Sequence, residues 1–143
     1  MKKVSMIAVM LLFISLGIYA QRIEAAKVPE PIKAAFAKAF PNASGVTWEM
    51  EKGNYEAGFK KDGKVMAALF EPSGIMKESE TTIEVASLPA SVLTYVKEHY
   101  KGKQIKEGAK IVKSTGEINY EAEVDGKDVI FDASGKFLRE EAD

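Results

Sequence analysis

The stretch from residue 28 to residue 81 is written a second time from 88 to 142. A chain that repeats one supersecondary unit has few folds open to it. Val28-Pro29 is echoed by Leu88-Pro89, 60 residues later, and Phe40 by Tyr100 at the same offset. Tyr55 answers Tyr120 at an offset of 65, and Gly63 answers Gly126 at 63. Phe70-Glu71-Pro72-Ser73-Gly74 answers Phe131-Asp132-Ala133-Ser134-Gly135 at 61. Offsets that wander by so little describe one unit copied with changes in loop length.

Each unit opens as a helix and continues as strands. Pro29 and Pro31 suit a first helical turn, where the amides lack partners in any case. Ile32, Ala35, Phe36, Ala39 and Phe40 then fall on one helical face, and Pro41 ends the run. In the second copy Pro89 opens the helix, Val92, Tyr95, Val96, His99 and Tyr100 form the stripe, and Gly102 lies just past its end. Thereafter the apolar period drops to two. Val46, Trp48 and Met50 alternate with Thr47, Glu49 and Glu51; Tyr55, Ala57 and Phe59 alternate with Glu56, Gly58 and Lys60. Ile118, Tyr120, Ala122 and Val124 do the same against Glu117, Asn119, Glu121 and Glu123. Such alternation marks antiparallel strands with one buried and one wet face. Asp62-Gly63 and Asp125-Gly126 favour tight hairpins, and residues 76–85 read as the last strand of the first copy and the bridge to the second.

The fold expected is α+β: two tandem helix-plus-antiparallel-sheet repeats with both helices on one face of the sheet. Phe36, Phe40, Trp48, Tyr55, Val96, Tyr100, Tyr120 and Phe131 are expected to point into one shared core. The segments are 1–20, a signal peptide; 21–27, an N-terminal linker; 28–87, the first repeat; and 88–143, the second.

The signal peptide is read from Lys2-Lys3 followed by an apolar run to Tyr19 and a small residue, Ala20, before the cut. Cleavage near Ala25 or Ala26 is an alternative. A membrane anchor is the competing reading, since Val4 to Ala20 is 17 residues, at the short edge for spanning about 30 Å of hydrocarbon. The chain has no Cys, which excludes thiol lipidation and disulfide staples. The whole chain carries 20 basic and 21 acidic side chains. Loss of Lys2 and Lys3 leaves a mildly acidic surface with no basic stripe, so nucleic acid is a poor partner.

With the paired Val/Leu-Pro openings, Phe40-Pro41, Val46 and Trp48, the Tyr55 and Tyr120 strands and the two Phe-acid-x-Ser-Gly turns, the chain resembles the PepSY-like, β-lactamase-inhibitor-like family over residues 28–140. The resemblance implies an exported bacterial protein, periplasmic or secreted, with this two-repeat fold and no established enzymatic activity. Inhibitor proteins of similar architecture are disulfide-bonded, as this chain cannot be, and a shared fold does not confer inhibition.

No catalytic set stands out. His99 lacks companions for metal binding or base catalysis, and the serines at 73, 91, 114 and 134 sit in turns or early in a helix. No cofactor or metal is expected. Trp48 falls on the inward phase. The candidate surface is the wet sheet face, with Glu49, Glu51, Glu56, Lys60, Glu117, Glu121 and Glu123 as a partner-binding set and Lys60, Lys110 and Lys113 as cross-strand counter-charges. The function expected is a non-enzymatic exported module binding a protein or peptide of the cell envelope, without stable membrane insertion once the signal is removed. A second reading is a carrier of a small apolar or amphipathic ligand held between helices and sheet. It rests on residues 64–70, where both strand phases are apolar.

Overall fold

Pro29 and Pro89 cap the two helices, α1 (Glu30–Ala39) and α2 (Ala90–His99), each introduced by a short 3-10 turn. The computed structural model describes residues 21–142; the expected signal peptide, residues 1–20, lies outside the described residues. Nine strands complete the chain: β1 (Gln21–Ile23), β2 (Ser44–Glu51), β3 (Asn54–Lys61), β4 (Lys64–Phe70), β5 (Met76–Ile83), β6 (Ile105–Lys113), β7 (Ile118–Val124), β8 (Lys127–Asp132) and β9 (Phe137–Ala142). They form one antiparallel sheet in strict sequence order. The order 3-10 turn, helix, four strands occurs twice. Residues 21–27, expected as a linker, are instead β1 and the first 3-10 turn, and Ile23 pairs with Trp48.

Tight turns set the register. Asp62-Gly63 and Asp125-Gly126 both hold positive φ (51° and 75°, 55° and 72°), the two-residue geometry that matches strand twist. Gly135 is required for another reason. A Cβ there would collide with the Ser91 hydroxyl, which itself donates to the Ser134 carbonyl at 3.0 Å. The loop before β9 is thereby fastened to the start of α2.

Paired residues share a face, so the register carries the helix side across the whole sheet. Trp48 pairs with Ala57, Ala57 with Ala68, and Ala68 with Ser79. Beyond β5 the same side runs through Val112 and Lys110 to Tyr120 and Phe131. Both helices pack on it, but over separate cores. Val28, Ile32, Phe36, Trp48, Phe59 and Phe70 make one, and Leu88, Val92, Val96, Val124, Val129 and Phe131 the other. The single shared core expected from the pattern is therefore corrected. The strands midway between the helices turn Ser79, Thr81 and Lys110 to this side.

Several inward assignments shift with it. Ala39 and His99 are exposed, while Phe40, Tyr55, Tyr100 and Tyr120 are half-buried at the margins of their clusters. Val46 is exposed because a register shift between Ser44 and Thr47 turns it out of phase. The counterpart of Trp48 is Gly108, which pairs with Ala122 as Trp48 pairs with Ala57. A Cβ at Gly108 would lie 3.1 Å from Leu88 Cδ1, so the second copy closes over a glycine where the first packs an indole.

Candidate functional site

The opposite phase of every strand faces away from both helices, and this open face is rich in carboxylates. On β2 and β3, Glu49 pairs with Glu56 and Glu51 with Asn54. Leu69 separates Glu56 from Glu78, and Ala67 stands beside Glu80. Farther across, Ala109 pairs with Glu121, which pairs with Ile130, while Glu107 pairs with Glu123 and Glu123 with Asp128. Asp128 in turn faces Glu141 on the last strand.

Glu49, Glu51, Glu56, Lys60, Glu121 and Glu123, singled out from the sequence, all lie on this one face. Lys60 sits exposed at one end of β3. Glu117 precedes β7 and is exposed, while Asn119, two residues on, is buried. Pattern reading passed over Glu78, Glu80, Glu107, Asp128 and Glu141. The signal was available for the first two, which alternate through β5 as Glu49 and Glu51 do through β2. It was masked by assigning β5 partly to a bridge.

The face is wet only at its margin. Ile111 and Ile130 are 6% and 2% exposed although no helix covers them. Ile111 stands between Glu80 and Asn119, and Ile130 between Glu121 and Arg139, so long polar side chains flank this apolar floor on both sides. Glu49, Glu51, Glu56, Glu121 and Glu123 are correspondingly half-buried, which corrects the expectation of freely solvated carboxylates.

Withdrawal from water changes their acidity. Burial, reinforced by the charges of Glu51 and Glu80 and by a hydrogen bond with Glu51, raises the Glu56 carboxyl to about 8. Burial raises Glu80 to about 7, with Asp128 and Glu107 as the next causes. Glu121 rises to about 9, first by burial and then by the charge of Glu80. In each case desolvation and like charge act in the same direction, both favouring the neutral acid.

The counter-charges are sparse and peripheral. Lys106 reaches Glu123 at 2.8 Å, and Arg139 bonds Glu141 at 2.5 Å along the edge strand. Lys113 pairs across from Glu78 at the end of β6. Lys110, expected among the counter-charges, pairs with Tyr120 and Thr81 and so belongs to the helix side. No group of three or more His, Cys, Asp or Glu residues is arranged to hold a metal ion among the described residues.

Two features lie on the helix side. His99, exposed, stacks on Tyr95 at 3.9 Å between ring centres, and Tyr95 stacks on Phe137 at 5.0 Å. The histidine ring nitrogen Nδ1 meets the Tyr95 carbonyl at 3.0 Å, and no serine approaches it by hydrogen bond among the described residues. Ser134 instead bonds Asp132, in the turn chemistry its sequence suggests. A solvent-open hollow of about 390 Å³ lies between α2 and β6, lined by Val85, Leu93, Val96, Tyr100 and Ile105 with Lys97 and Lys103 at hand. The doubly apolar strand β4 does not line this hollow; its Val65, Ala67 and Leu69 belong to the open face.

A family model described as "Putative beta-lactamase-inhibitor-like, PepSY-like" matches residues 18–67 and again 53–139. Among solved structures the chain is similar to a "BLIP-like protein" from Bacteroides fragilis. The two are 26% identical with a TM-score of 0.60, over 80% of this chain and 85% of that one. It is also similar in fold to a "putative periplasmic" protein from Bacteroides eggerthii, at 19% identity and a TM-score of 0.72, over 80% and 88% of the two chains. A third, from Bacteroides uniformis, is 20% identical with a TM-score of 0.70 over the same shares. No curated protein matches.

Proposed function

The chain belongs to the β-lactamase-inhibitor-like, PepSY-like family, and on that premise we propose that it is an exported, non-enzymatic module that binds a protein or peptide of the cell envelope through the open sheet face. The observation that carries this reading is the face itself. Both helices are spent on one side of the sheet, and the other side presents carboxylates on strands β2, β3, β5, β6, β7 and β8. Exposed Val65 and half-buried Leu69 lie on the same side among these charges, apolar ground within a polar surround of the kind a protein-binding patch carries. The description of a neighbour as periplasmic and of another as BLIP-like supports export and protein recognition.

Within this reading the chain is a tandem duplication, 28–87 and 88–143, preceded by a signal peptide cut after Ala20. A cut near Ala25 would remove β1 and with it Ile23, which packs on the first core. The mature protein inserts no helix into the membrane; no described helix is long and apolar enough to cross one.

Capture from the native envelope with the full protein as bait, followed by cross-link mapping, tests the function. Cross-links from the partner to β3, β5 and β7 on the open side are expected. No reproducible partner, or cross-links confined to the helices, overturns it. The hollow beside α2 favours a second reading, a carrier of a small amphipathic ligand with its anionic end at Lys97 and Lys103. Native mass spectrometry of protein from its own host showing a bare polypeptide would remove it.

A further inference from the structure

The duplication gives one strand of this sheet two parts to play. β5 closes the first half and opens the second, so it is the counterpart of β9 at one end and of β1 at the other. Phe70 pairs with Met76 as Phe131 pairs with Phe137, each beside a register shift. Glu78, Ser79 and Glu80 therefore match Arg139, Glu140 and Glu141. On its far side β5 carries β6, through a ladder that runs from Glu78 opposite Lys113 to Ile83 opposite Gly108. The same side of β9 pairs with no strand among the described residues. A ladder that continues the sheet at its middle is thus left open at its end, and an open edge is a template for one more strand. Arg139, Glu140, Glu141 and Ala142 are all exposed along it. The other edge, β1, is only three residues long.

The charges of the β9 edge complement themselves. Arg139 and Glu141 lie on the open side, opposite Ile130 and Asp128 of β8, while Glu140 lies on the helix side opposite Val129. Two copies of β9 can run antiparallel about a twofold axis at Glu140. Each Arg139 then stands across from Glu141 of the other copy, and Leu138, 43% exposed, across from Ala142. Within one copy Arg139 already bonds Glu141 at 2.5 Å, so the pairing joins two ion pairs into a closed square of alternating charge. Opposite charges facing across strands stabilise a ladder, and like charges weaken it. An axis one residue away, at Arg139 or at Glu141, would oppose that residue to itself, so the charges select a single register. The one like-charged pair left is Glu140 with Glu140. Each of those carboxylates is already held by Lys127 at 2.6 Å and by the Tyr100 hydroxyl.

We propose that β9 is a self-recognition edge, at which two copies of this chain join through an antiparallel ladder with Arg139 of each on Glu141 of the other. A twofold axis normal to the sheet keeps all the helices on one side and sets the two open faces next to each other on the other. The main chain supplies most of the attraction, since exposed ion pairs contribute little apiece; the charges fix the register. One short ladder buries less than about 1,200 Å², the lower bound of a standard interface, so the dimer is weak and appears at high concentration. The pairing does not depend on the open face being the binding surface.

Sedimentation of the protein recovered from its host, over a wide range of concentration, tests this. A monomer–dimer equilibrium is expected. R139E leaves two acids on the open side of the edge and E141R two bases, and each alone should weaken dimerisation at least fivefold. An equimolar mixture of the two variants should pair as tightly as the unaltered protein, because every acid then meets a base. R22E, at the other edge, should change nothing. The chain has no Cys, and directly opposed residues of a ladder stand about 4.5–5.5 Å apart, within disulfide reach. E140C, on the axis, should therefore oxidise with diamide to a covalent dimer, whereas E141C should not. A monomer at every concentration, a mixture that fails to pair, or equal cross-linking of E140C and E141C overturns the proposal. Species that keep growing past the dimer, or loss of association in R22E, would assign the edge to head-to-tail joining with β1 and overturn it too. Capture of an envelope partner on the open face is unaffected by any of these results, so the two readings fail separately.

Discussion

Trp48 on β2 and Gly108 on β6 hold matching places beneath their helices, one pairing with Ala57 and the other with Ala122. The indole of Trp48 packs edge-on to Phe36 at 5.4 Å, while Gly108 admits Leu88 where a side chain would stand. The two halves thus bury similar strands by different means, one with an aromatic cluster and one by close approach. Gly108→Ala is expected to destabilise by about 1–3 kcal/mol, the usual penalty of overpacking. A chemical denaturation curve of the variant measures it, and an unchanged midpoint would show that Leu88 yields freely.

Phe36 touches four rings, those of Phe40, Trp48, Phe59 and Phe70, at centroid distances from 5.0 to 6.4 Å. Phe36→Ala should cost about 3–5 kcal/mol. Phe40, half-buried at the helix end, should cost clearly less when truncated. Thermal melts of the two variants compare them directly, and equal losses would mean that the core extends to the end of α1.

The stability of the protein should fall as the solution becomes alkaline. Glu56, Glu80 and Glu121 titrate at about 8, 7 and 9 in the folded chain, against an ordinary value of 4.5. Between these limits the folded state holds more protons than the unfolded one, so the free energy of unfolding decreases with rising pH. The contribution of these groups is complete below about pH 4.5 and is lost as pH climbs through 7 to 9. Melting temperatures taken from pH 5 to pH 9 should drop. Glu121→Gln should flatten the drop and stabilise the protein by about 1–2 kcal/mol at pH 9, the scale of removing an unpaired desolvated charge. A melting temperature independent of pH over this range would show that the face is well hydrated.

The loop holding Gly135 against Ser91 should resist substitution. Gly135 has a φ of 82° and no room for a Cβ, so Gly135→Ala meets both backbone strain and collision. A loss of at least about 2 kcal/mol is expected. Ser91→Ala, which frees the Ser134 carbonyl at the surface, should cost no more than about 1 kcal/mol. Denaturation midpoints of the pair distinguish geometric from hydrogen-bonding control of this junction.

If the signal peptide is cut where the fold leaves the first strand whole, the protein recovered from its host begins at Gln21. Amino-terminal sequencing checks this. A start at Ala26 or Lys27 would mean that β1 is dispensable, and a chain beginning there should then melt with the full protein rather than below it.

Much of the architecture was legible because its signals are local. The prolines before each helix, the alternation through β3 and β7, and the Asp-Gly turns all act over a few residues, and each element lies where those signals put it. The division into two cores was not legible, because it depends on which way β5 faces. Ser79 and Thr81 look like ordinary strand residues until the register turns them between the helices. The acidity of the open face was half visible. Glu49, Glu56 and Glu121 could be placed by phase alone. Their withdrawal from water depends on cross-strand neighbours such as Leu69 and Ile130 and on Glu80 and Asp128, which only the folded register brings near.

Every strand of this sheet pairs only with its neighbours along the chain, and the two widest closures, Ile23 to Ser44 and Ile83 to Ile105, each span a single helix. A topology of this kind has low contact order and folds quickly for a sheet protein, since no strand waits for a distant partner. Were the chain threaded through a membrane in an extended state, as its proposed export requires, that would be a practical advantage. The first half can pair, helix and all, while the second is still emerging, so little apolar strand is left bare for other chains to find. The same ordering makes each end of the sheet a natural point of growth, where one more hairpin could be added without disturbing those already formed.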